Sequence, residues 1–291
     1  MESVRDGEIV VGVDGTAASR AAVEWAARDA ARRHRALRLV HVVLTPEMSE
    51  WIDAPIGERL AAERRRQGRE LLAEARALVA GLLEAPDDVP VETQLAADAL
   101  VPALVDVSKD ADMIVVGRRG LGALAGVLVG SVSRGLLQHA RCPVVVVHAD
   151  TPVPTDGPVV VGLDGSPNSV LAAGIAFDQA SWRGVGLVAV HACSDDNLDL
   201  PDVGWRDLET LGAEVLSEQL AGWRDRYPDV QVHTVVARTS PARWIVEQAE
   251  TAQLVVLGSH GRGGFAGMLL GSVGNAVVQA TRVPVIVARQ C

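Results

Sequence analysis

Two glycine-rich segments of the sequence follow apolar runs and share one spacing. The first extends from Asp112 to Leu136, and the second extends from Gln253 to Val277. In each segment the glycines form the pattern G-x-x-G-x(9)-G, and a serine follows the last glycine. Glycine has no Cβ atom, so it accepts positive φ angles and lets a phosphate group approach main-chain N–H groups. The recurrence of the spacing favours a binding role over a role in turns alone.

The last glycine of each pattern stands where a helix is predicted to begin. These positions are Gly130–Ser131 in the first segment and Gly271–Ser272 in the second. A helix N-terminus carries unpaired N–H groups and the positive end of the helix dipole, and both favour an anion. A nucleotide triphosphate satisfies this chemistry. The alternative is that the glycines serve only turns and tight contacts between strand and helix.

Aspartates and histidines at predicted strand ends are further candidates. Asp14 and Asp164 follow the first apolar run of each repeat, where they could contact a ligand or cap the following helix. His41 and His191 stand near the end of the second run. We interpret these two as buried strand histidines rather than general bases, because no serine, cysteine or carboxylate is placed to form a triad with them.

The chain repeats itself along nearly its whole length. The aspartate and histidine motifs shift by 150 positions, whereas the glycine motifs and the proline that follows them shift by 141. Residues 148–159 contain three prolines and a glycine, which is typical of a linker. We therefore predict two domains, residues 1–150 and 151–291.

Each repeat alternates short apolar runs with longer helical patterns. The runs of the first repeat are EIVVGV, LRLVHVV, VETQL, MIVVG and PVVVVH. Runs of this kind predict parallel strands that are buried on both faces, and Thr16 is a candidate cap for the first helix. Five strands and four helices per repeat predict an α/β fold of two doubly wound domains, each with a five-stranded parallel sheet flanked by helices.

Composition excludes several classes of protein. The formal net charge of −10 argues against a nucleic-acid surface, and Lys109 is the only lysine, so neither a P-loop nor a protein kinase site can be built. No apolar run approaches the ~20 residues of a membrane span, and the N-terminus is charged, so we expect a cytoplasmic protein without a membrane partner. Cys142, Cys193 and Cys291 form no C-x-x-C pair and are expected to be reduced thiols.

The pattern G-x-x-G-x(9)-G-[ST], preceded by an aspartate after the first strand, resembles the ATP-binding class of the universal stress protein family in its tandem form. The resemblance covers nearly the whole chain. It implies a sheet in the order 3-2-1-4-5 in each domain, and one ATP per domain held mainly by backbone groups. It further implies dimer contacts through the last strand, and a regulatory rather than enzymatic role in stress or slowed growth, with at most weak ATP hydrolysis.

The resemblance also implies the residues of each site. In the first domain Val13, Asp14 and Val42 would surround the adenosine, and Gly117, Gly120, Gly130, Ser131, Val132 and Ser133 would hold the ribose and phosphates. In the second domain the matching residues are Leu163, Asp164, Ala192, Gly258, Gly261, Gly271, Ser272 and Val273. Gly274 replaces the serine found at position 133. The second site is therefore expected to lose one hydrogen bond, of about 1 kcal/mol, and to bind ATP more weakly.

Other assignments stay open at this point. Magnesium could accompany the nucleotide, although no carboxylate cluster is dedicated to it, and a regulatory protein partner is conceivable. Long connections carry Trp51 and Trp205, which are expected to serve packing or an interface.

The segments GLGALA and GRGGFA also satisfy a dinucleotide fingerprint, but not on the first strand–helix turn where it belongs. An ATP-hydrolysing or ATP-using enzyme is a further alternative. Charged side chains of the glycine loops could counter phosphate charge or be solvated: Arg118, Arg119, His260 and Arg262.

Overall fold

The computed structural model describes residues 7–43, 54–118, 130–149, 154–193, 205–261 and 270–289. The chain divides into two compact units, Met1–Ala149 and Asp150–Gln290. Strands and helices alternate along each unit, as the sequence patterns predict.

The first unit contains five strands and four α-helices within its described residues. In chain order these are β1 (Glu8–Gly12), α1 (Ala17–Arg33), β2 (Leu37–Val43), α2 (Ala54–Leu82), β3 (Val91–Ala97), α3 (Leu100–Val107), β4 (Ala111–Gly117), α4 (Ser131–His139) and β5 (Val144–Val147). A short 3-10 helix, Pro86–Asp88, precedes β3.

The second unit repeats this order of elements. Its described residues form β6 (Val159–Gly162), α5 (Pro167–Arg183), β7 (Leu187–Cys193), α6 (Trp205–Arg226), β8 (Val232–Arg238), α7 (Pro241–Ala249), β9 (Leu254–Gly258), α8 (Ser272–Ala280) and β10 (Val285–Ala288).

The sheet of each unit is parallel and has the strand order that the sequence analysis expects. The first runs β3-β2-β1-β4-β5 and the second β8-β7-β6-β9-β10, so both are 3-2-1-4-5 within their unit. The register is also repeated, since Gly12 pairs with Val40 and Gly162 pairs with Val190. The order reverses between the first and fourth strands of each unit. Ligands bind at this point in open α/β sheets.

Strand burial follows position in the sheet rather than the uniform pattern that we expected. The central strands β1, β4, β6 and β9 are buried over most of their length. The third strand of each unit, β3 or β8, lies at an edge and exposes polar residues such as Glu92, Thr93 and Thr234. The expectation of burial on both faces is therefore wrong for β3 and β8, because helices packed on an open sheet cover its central strands more completely than its outermost ones.

Helices cover both faces of each sheet. In the first unit α1 packs on α2, and α3 packs on α4; in the second, α5 packs on α6 and α7 on α8. The predicted cap of α1 is confirmed, because the Oγ1 atom of Thr16 accepts a hydrogen bond from the Ser19 N–H. Ser166 caps α5 in the same way. Among the described helices, none combines the length and apolarity needed to cross a membrane.

An aromatic cluster joins α5 to α6 in the second unit. Phe177 is fully buried and stacks against Trp223 and Tyr227, at centroid distances of 6.2 and 5.7 Å. The Arg226 guanidinium lies over both of the latter rings. In addition, the Tyr227 hydroxyl donates a hydrogen bond to Asp178. Burial, followed by this hydrogen bond, raises the pKa of Tyr227 to about 12.

Tyr227 provides a direct test of this packing, because it is the only tyrosine of the chain. We expect its absorbance titration at alkaline pH to have a midpoint of about 12 in the folded protein. The unfolded chain should titrate near pH 10. Because the folded pKa is the higher one, the hydroxyl's contribution to stability is complete below about pH 10 and is lost as the pH rises from about 10 to about 12.

The Asp178→Ala variant is the control for this titration. It removes the acceptor and should move the folded midpoint towards 10, while the aromatic stacking is retained. A midpoint near 10 in the folded wild-type protein would contradict the assignment.

Candidate functional site

The predicted site residues that the structure describes come together at one edge of each sheet. Val13 and Asp14 directly follow β1, and Gly117 is the last residue of the neighbouring strand β4. Leu163, Asp164 and Gly258 have the same positions on β6 and β9. The carboxyl ends of adjacent parallel strands thus bring the aspartate and the start of the glycine loop side by side at the point where the strand order reverses.

Each aspartate organises a tight turn rather than capping a helix. Asp14 Oδ1 accepts hydrogen bonds from the Thr16 N–H and the Thr16 hydroxyl, at 3.0 and 2.6 Å. Asp164 Oδ1 accepts one from the Ser166 N–H at 3.0 Å. The helix caps are Thr16 and Ser166, so the alternative in which the aspartates cap the helices is wrong.

A glycine follows each aspartate because the turn needs a left-handed backbone. Gly15 and Gly165 both have a φ of 82°, which a residue with a Cβ atom adopts only under strain. The role of these glycines was not predicted, although the repeated motifs VDGT and LDGS contain them.

Both glycine loops are closed by the same backbone hydrogen bond. The Gly130 N–H donates to the Arg118 carbonyl at 2.8 Å, and the Gly271 N–H donates to the Ser259 carbonyl at 2.8 Å. Gly130 and Gly271 are the N-cap residues of α4 and α8, as predicted, and no side chain caps either helix. The first-turn N–H groups of these two helices therefore receive no hydrogen bond from a cap side chain.

In the second unit the aspartate turn and the glycine loop touch. A Cβ atom built on Gly261 would lie 2.3 Å from the Asp164 Oδ2 atom. Gly271 is close to the same segment, since a Cβ atom there would lie 3.9 Å from the Gly261 nitrogen. The Asp164 carboxylate, the Gly261 backbone and the start of α8 thus form one cluster, which we call the Asp164 cluster. Its first-unit counterpart would include Gly120, which lies outside the described residues.

Gly117 and Gly258 permit tight contacts between strand and helix, which the sequence alone left as an alternative to ligand binding. A Cβ atom on Gly117 would lie 2.6 Å from the Ala18 carbonyl carbon, and one on Gly258 would lie 2.9 Å from that of Asn168. Both contacts are with helix backbone, which cannot move aside independently. These glycines let the first helix of each unit reach the end of the fourth strand, whatever else they contact.

Ser133 uses its hydroxyl inside the protein. Its side chain is 2% exposed, and its Oγ donates a hydrogen bond to the Gly117 carbonyl at 2.8 Å. A phosphate contact through this hydroxyl would require that bond to break. Gly274 stands at the matching position of the second unit and has no hydroxyl. It therefore cannot form the equivalent side-chain hydrogen bond between α8 and the end of β9.

His41 and His191 are strand residues whose rings are hydrogen-bonded to the backbone directly before each aspartate turn. The Nδ1 atom of each lies 2.7 Å from a carbonyl oxygen, that of Val13 or of Leu163. A carbonyl only accepts, so Nδ1 carries the proton and donates. The other side of each ring packs on a helix, since a Cβ atom on Gly68 or Gly212 would lie 2.7 or 3.0 Å from the ring Cδ2. Both histidines lie on strands, as predicted; His191 is buried, whereas His41 is only partly buried.

The remaining predicted residues lie nearby or outside the described part of the chain. Val42 and Ala192 belong to β2 and β7, which are neighbours of β1 and β6. Ser131, Val132, Ser272 and Val273 form the first turns of α4 and α8. Arg119, Arg262 and Trp51 lie outside the described residues, and nothing is described of the Trp205 side chain.

The described residues offer no cluster of three or more histidine, cysteine, aspartate or glutamate side chains that could hold a metal ion.

Comparison with known proteins identifies the family. The sequence model of the universal stress protein family matches residues 7–148 and 157–289. Universal stress protein Rv2623 of Mycobacterium tuberculosis is 49% identical over 288 residues, covering 97% of this chain and 96% of the relative. A universal stress protein of Mycolicibacterium smegmatis is 45% identical over 293 residues, covering 99% of each chain. The chain therefore belongs to the universal stress protein family, as a tandem of two such domains.

Solved structures show the same fold. A universal stress protein from Archaeoglobus fulgidus superposes with a TM-score of 0.74 at 21% identity, covering 99% of this chain and 100% of that chain.

We expect Gly258→Ala to destabilise the second unit, because its Cβ atom would overlap the Asn168 backbone. Overpacking of this kind costs about 1–3 kcal/mol, measurable by urea unfolding. Gly222→Ala in α6 is the matched control, since nothing lies within 4 Å of its Cβ position. It should stabilise the helix by about 0.5–1 kcal/mol. Equal stability of the two variants would contradict the close approach.

We expect His191→Phe to lower the free energy of unfolding by about 1–3 kcal/mol, because it leaves the buried Leu163 carbonyl without its donor. His191→Asn keeps a side-chain N–H and should recover part of the loss. Unfolding curves of both variants check this, and a phenylalanine variant as stable as wild type would refute the donor role.

Proposed function

We propose that each unit binds one ATP molecule at the edge where the aspartate turn meets the glycine loop. The observation that carries the proposal is the Asp164 cluster, in which a carboxylate, a glycine backbone and a helix N-terminus without a cap side chain lie in contact. The first unit repeats the aspartate turn and the helix N-terminus without a cap side chain, and the spacing of the glycines resembles that of the ATP-binding class of the family.

The parts of the nucleotide would be held by different elements. The first turns of α4 and α8 supply N–H groups and a helix dipole for the phosphates. The carboxylates of Asp14 and Asp164 have the chemistry to accept hydrogen bonds from the hydroxyl groups of a ribose. Val13 and Val42, or Leu163 and Ala192, would contact the adenine. Mg²⁺ would be bound through the phosphates rather than by a cage of carboxylates.

The proposed role is regulatory. ATP occupancy would change the conformation or contacts of the protein during stress or slowed growth, and the stress role rests on family membership alone. Both strand histidines are engaged with backbone carbonyls, which favours binding over acid–base catalysis. Self-association through the last strand, as the family resemblance implies, and contact with a regulatory protein are parts of the same proposal.

ATP titration of the full-length protein by calorimetry tests the proposal. We expect two sites in wild type and one in each of Asp14→Ala and Asp164→Ala. The affinity of the altered site should fall about tenfold or more, because hydrogen bonds to charged groups contribute about 1.5–3 kcal/mol. Glycine variants are less suitable, because Gly117→Ala would overlap α1.

Asp106→Ala is the control, because Asp106 is an exposed residue of α3 that pairs with Lys109. It should leave both sites unchanged. Absence of ATP binding by wild type at millimolar concentration would overturn the proposal. Mass spectrometry of nucleotide released from gently purified protein separates the alternatives, since retained NADH would favour a dinucleotide enzyme. Sustained phosphate release would favour an ATP-hydrolysing one.

A further inference from the structure

The two aspartate turns are held by different side chains. In the first unit the Ser19 hydroxyl accepts a hydrogen bond from the Asp14 N–H at 3.1 Å and lies 3.4 Å from the Gly12 carbonyl, to which it donates. The nearest neighbour of Gly15 is apolar, since Leu71 Cδ2 lies 2.7 Å from the position of a Cβ atom on that glycine. The first turn is thus fixed by its own helix and covered by a leucine.

In the second unit a side chain from α6 reaches the turn. The Gln219 Oε1 atom accepts a hydrogen bond from the Gly165 N–H at 3.2 Å. The Gln219 Nε2 atom donates to the Ser169 hydroxyl at 2.9 Å, and that hydroxyl donates to the Ser166 carbonyl at 2.8 Å. One amide group therefore connects the glycine of the turn to the first turn of α5.

The turn is also joined to the glycine loop. The Ser166 hydroxyl and the Asn168 amide both donate to the His260 carbonyl, at 3.3 and 3.4 Å. The segment that Gln219 holds, residues 165–169, is thus also hydrogen-bonded to His260, which directly precedes Gly261 of the Asp164 cluster.

The first unit has no residue that could do the same from this position. Gly68 and Gly212 are equivalent, because each packs against the strand histidine of its unit. Seven residues further along their helices stand Ala75 in the first unit and Gln219 in the second. Alanine has no amide and is too short to reach the turn.

We propose that Gln219 is a positioning residue of the second nucleotide site, and that it makes the two sites unequal. By holding the Gly165 N–H and the Ser169 hydroxyl together, Gln219 fixes the turn that carries Asp164 before the nucleotide arrives, which reduces the ordering required on binding. This inference rests on the proposed ATP binding. Its effect opposes the loss of the serine hydroxyl at Gly274.

The position of Gln219 makes the proposal testable without disrupting the core. Its side chain is half-buried and lines a groove of about 580 Å³ between α5 and α6, together with Val170, Val215 and Trp223. Gln219→Met keeps the length of the side chain and removes both hydrogen bonds. Glu218→Ala, at an exposed neighbour that lines the same groove, is the matched control.

The experiment measures ATP affinity in full-length chains in which one site is weakened. In an Asp14→Ala background, which reports the second site, Gln219→Met should raise the Kd about threefold to tenfold, the effect of one typical hydrogen bond. In an Asp164→Ala background, which reports the first site, the same substitution should leave the Kd unchanged. Glu218→Ala should change neither value. A general loss of folding would weaken both sites, so the contrast between backgrounds separates positioning from stability.

Hydrogen exchange at the Gly165 amide gives a second measurement that needs no nucleotide. We expect this amide to exchange faster in Gln219→Met than in wild type or Glu218→Ala. Equal exchange rates would overturn the positioning role whether or not ATP binds. If wild type binds ATP and Gln219→Met leaves the second-site Kd unchanged, the inference fails while the proposed function stands. If wild type binds no ATP, the proposed function fails, and the inference about the nucleotide site fails with it.

Discussion

The architecture of both sites depends on how closely the first helix of a unit approaches its fourth strand. At Gly117 the backbone of α1 lies within 3 Å of the space that a Cβ atom would occupy, and Gly258 repeats the contact with α5. The small residues of α1 permit this approach, since Ala18, Ala22 and Ala26 face the sheet and are buried. Only when helix and strand end are this close can the aspartate turn and the glycine loop form a common surface. Glycine is thus needed here for packing before any ligand is considered.

Much of the fold could be predicted from the sequence, because its determinants are local and repeated. Apolar runs, helical patterns and the 150- and 141-residue shifts indicate two α/β units, and the glycine–serine pairs mark the starts of α4 and α8. The exposed residues of β3 and β8 were not foreseen, although the implied order 3-2-1-4-5 places both strands at an edge. The strand order itself came from the family resemblance and not from the residue pattern.

The candidate site was less predictable, since its details depend on contacts between distant residues. Gly165 and Gln219 are 54 positions apart, and His41 and Val13 are 28 apart. Nothing in the local sequence distinguishes Gln219 from any other glutamine of an amphipathic helix. The roles of Thr16 and Asp14 show a different limit, because both residue types can cap a helix, and only the geometry assigns the cap to one and the turn to the other.

The two units have the same backbone arrangement but differ in the side chains that support it. The backbone features are common to both, including the loop closure at Gly130 and Gly271 and the positive φ of Gly15 and Gly165. The side chains that hold these features differ, as Ser133 against Gly274 and Ala75 against Gln219 illustrate. Changes of side chain at supporting positions can alter a site while its backbone features stay the same.

The strand histidines link each site mechanically to a helix. The His41 imidazole is hydrogen-bonded to the Val13 carbonyl on one side and packed against Gly68 of α2 on the other. A rigid planar ring transmits displacement, so movement of the strand end must either break the hydrogen bond or push on the helix. The far face of α2 carries Arg66 with Glu63 and Glu70 as exposed ion pairs. A displacement of the Val13 carbonyl would therefore act through the His41 ring on α2, whose opposite face is charged and exposed to solvent.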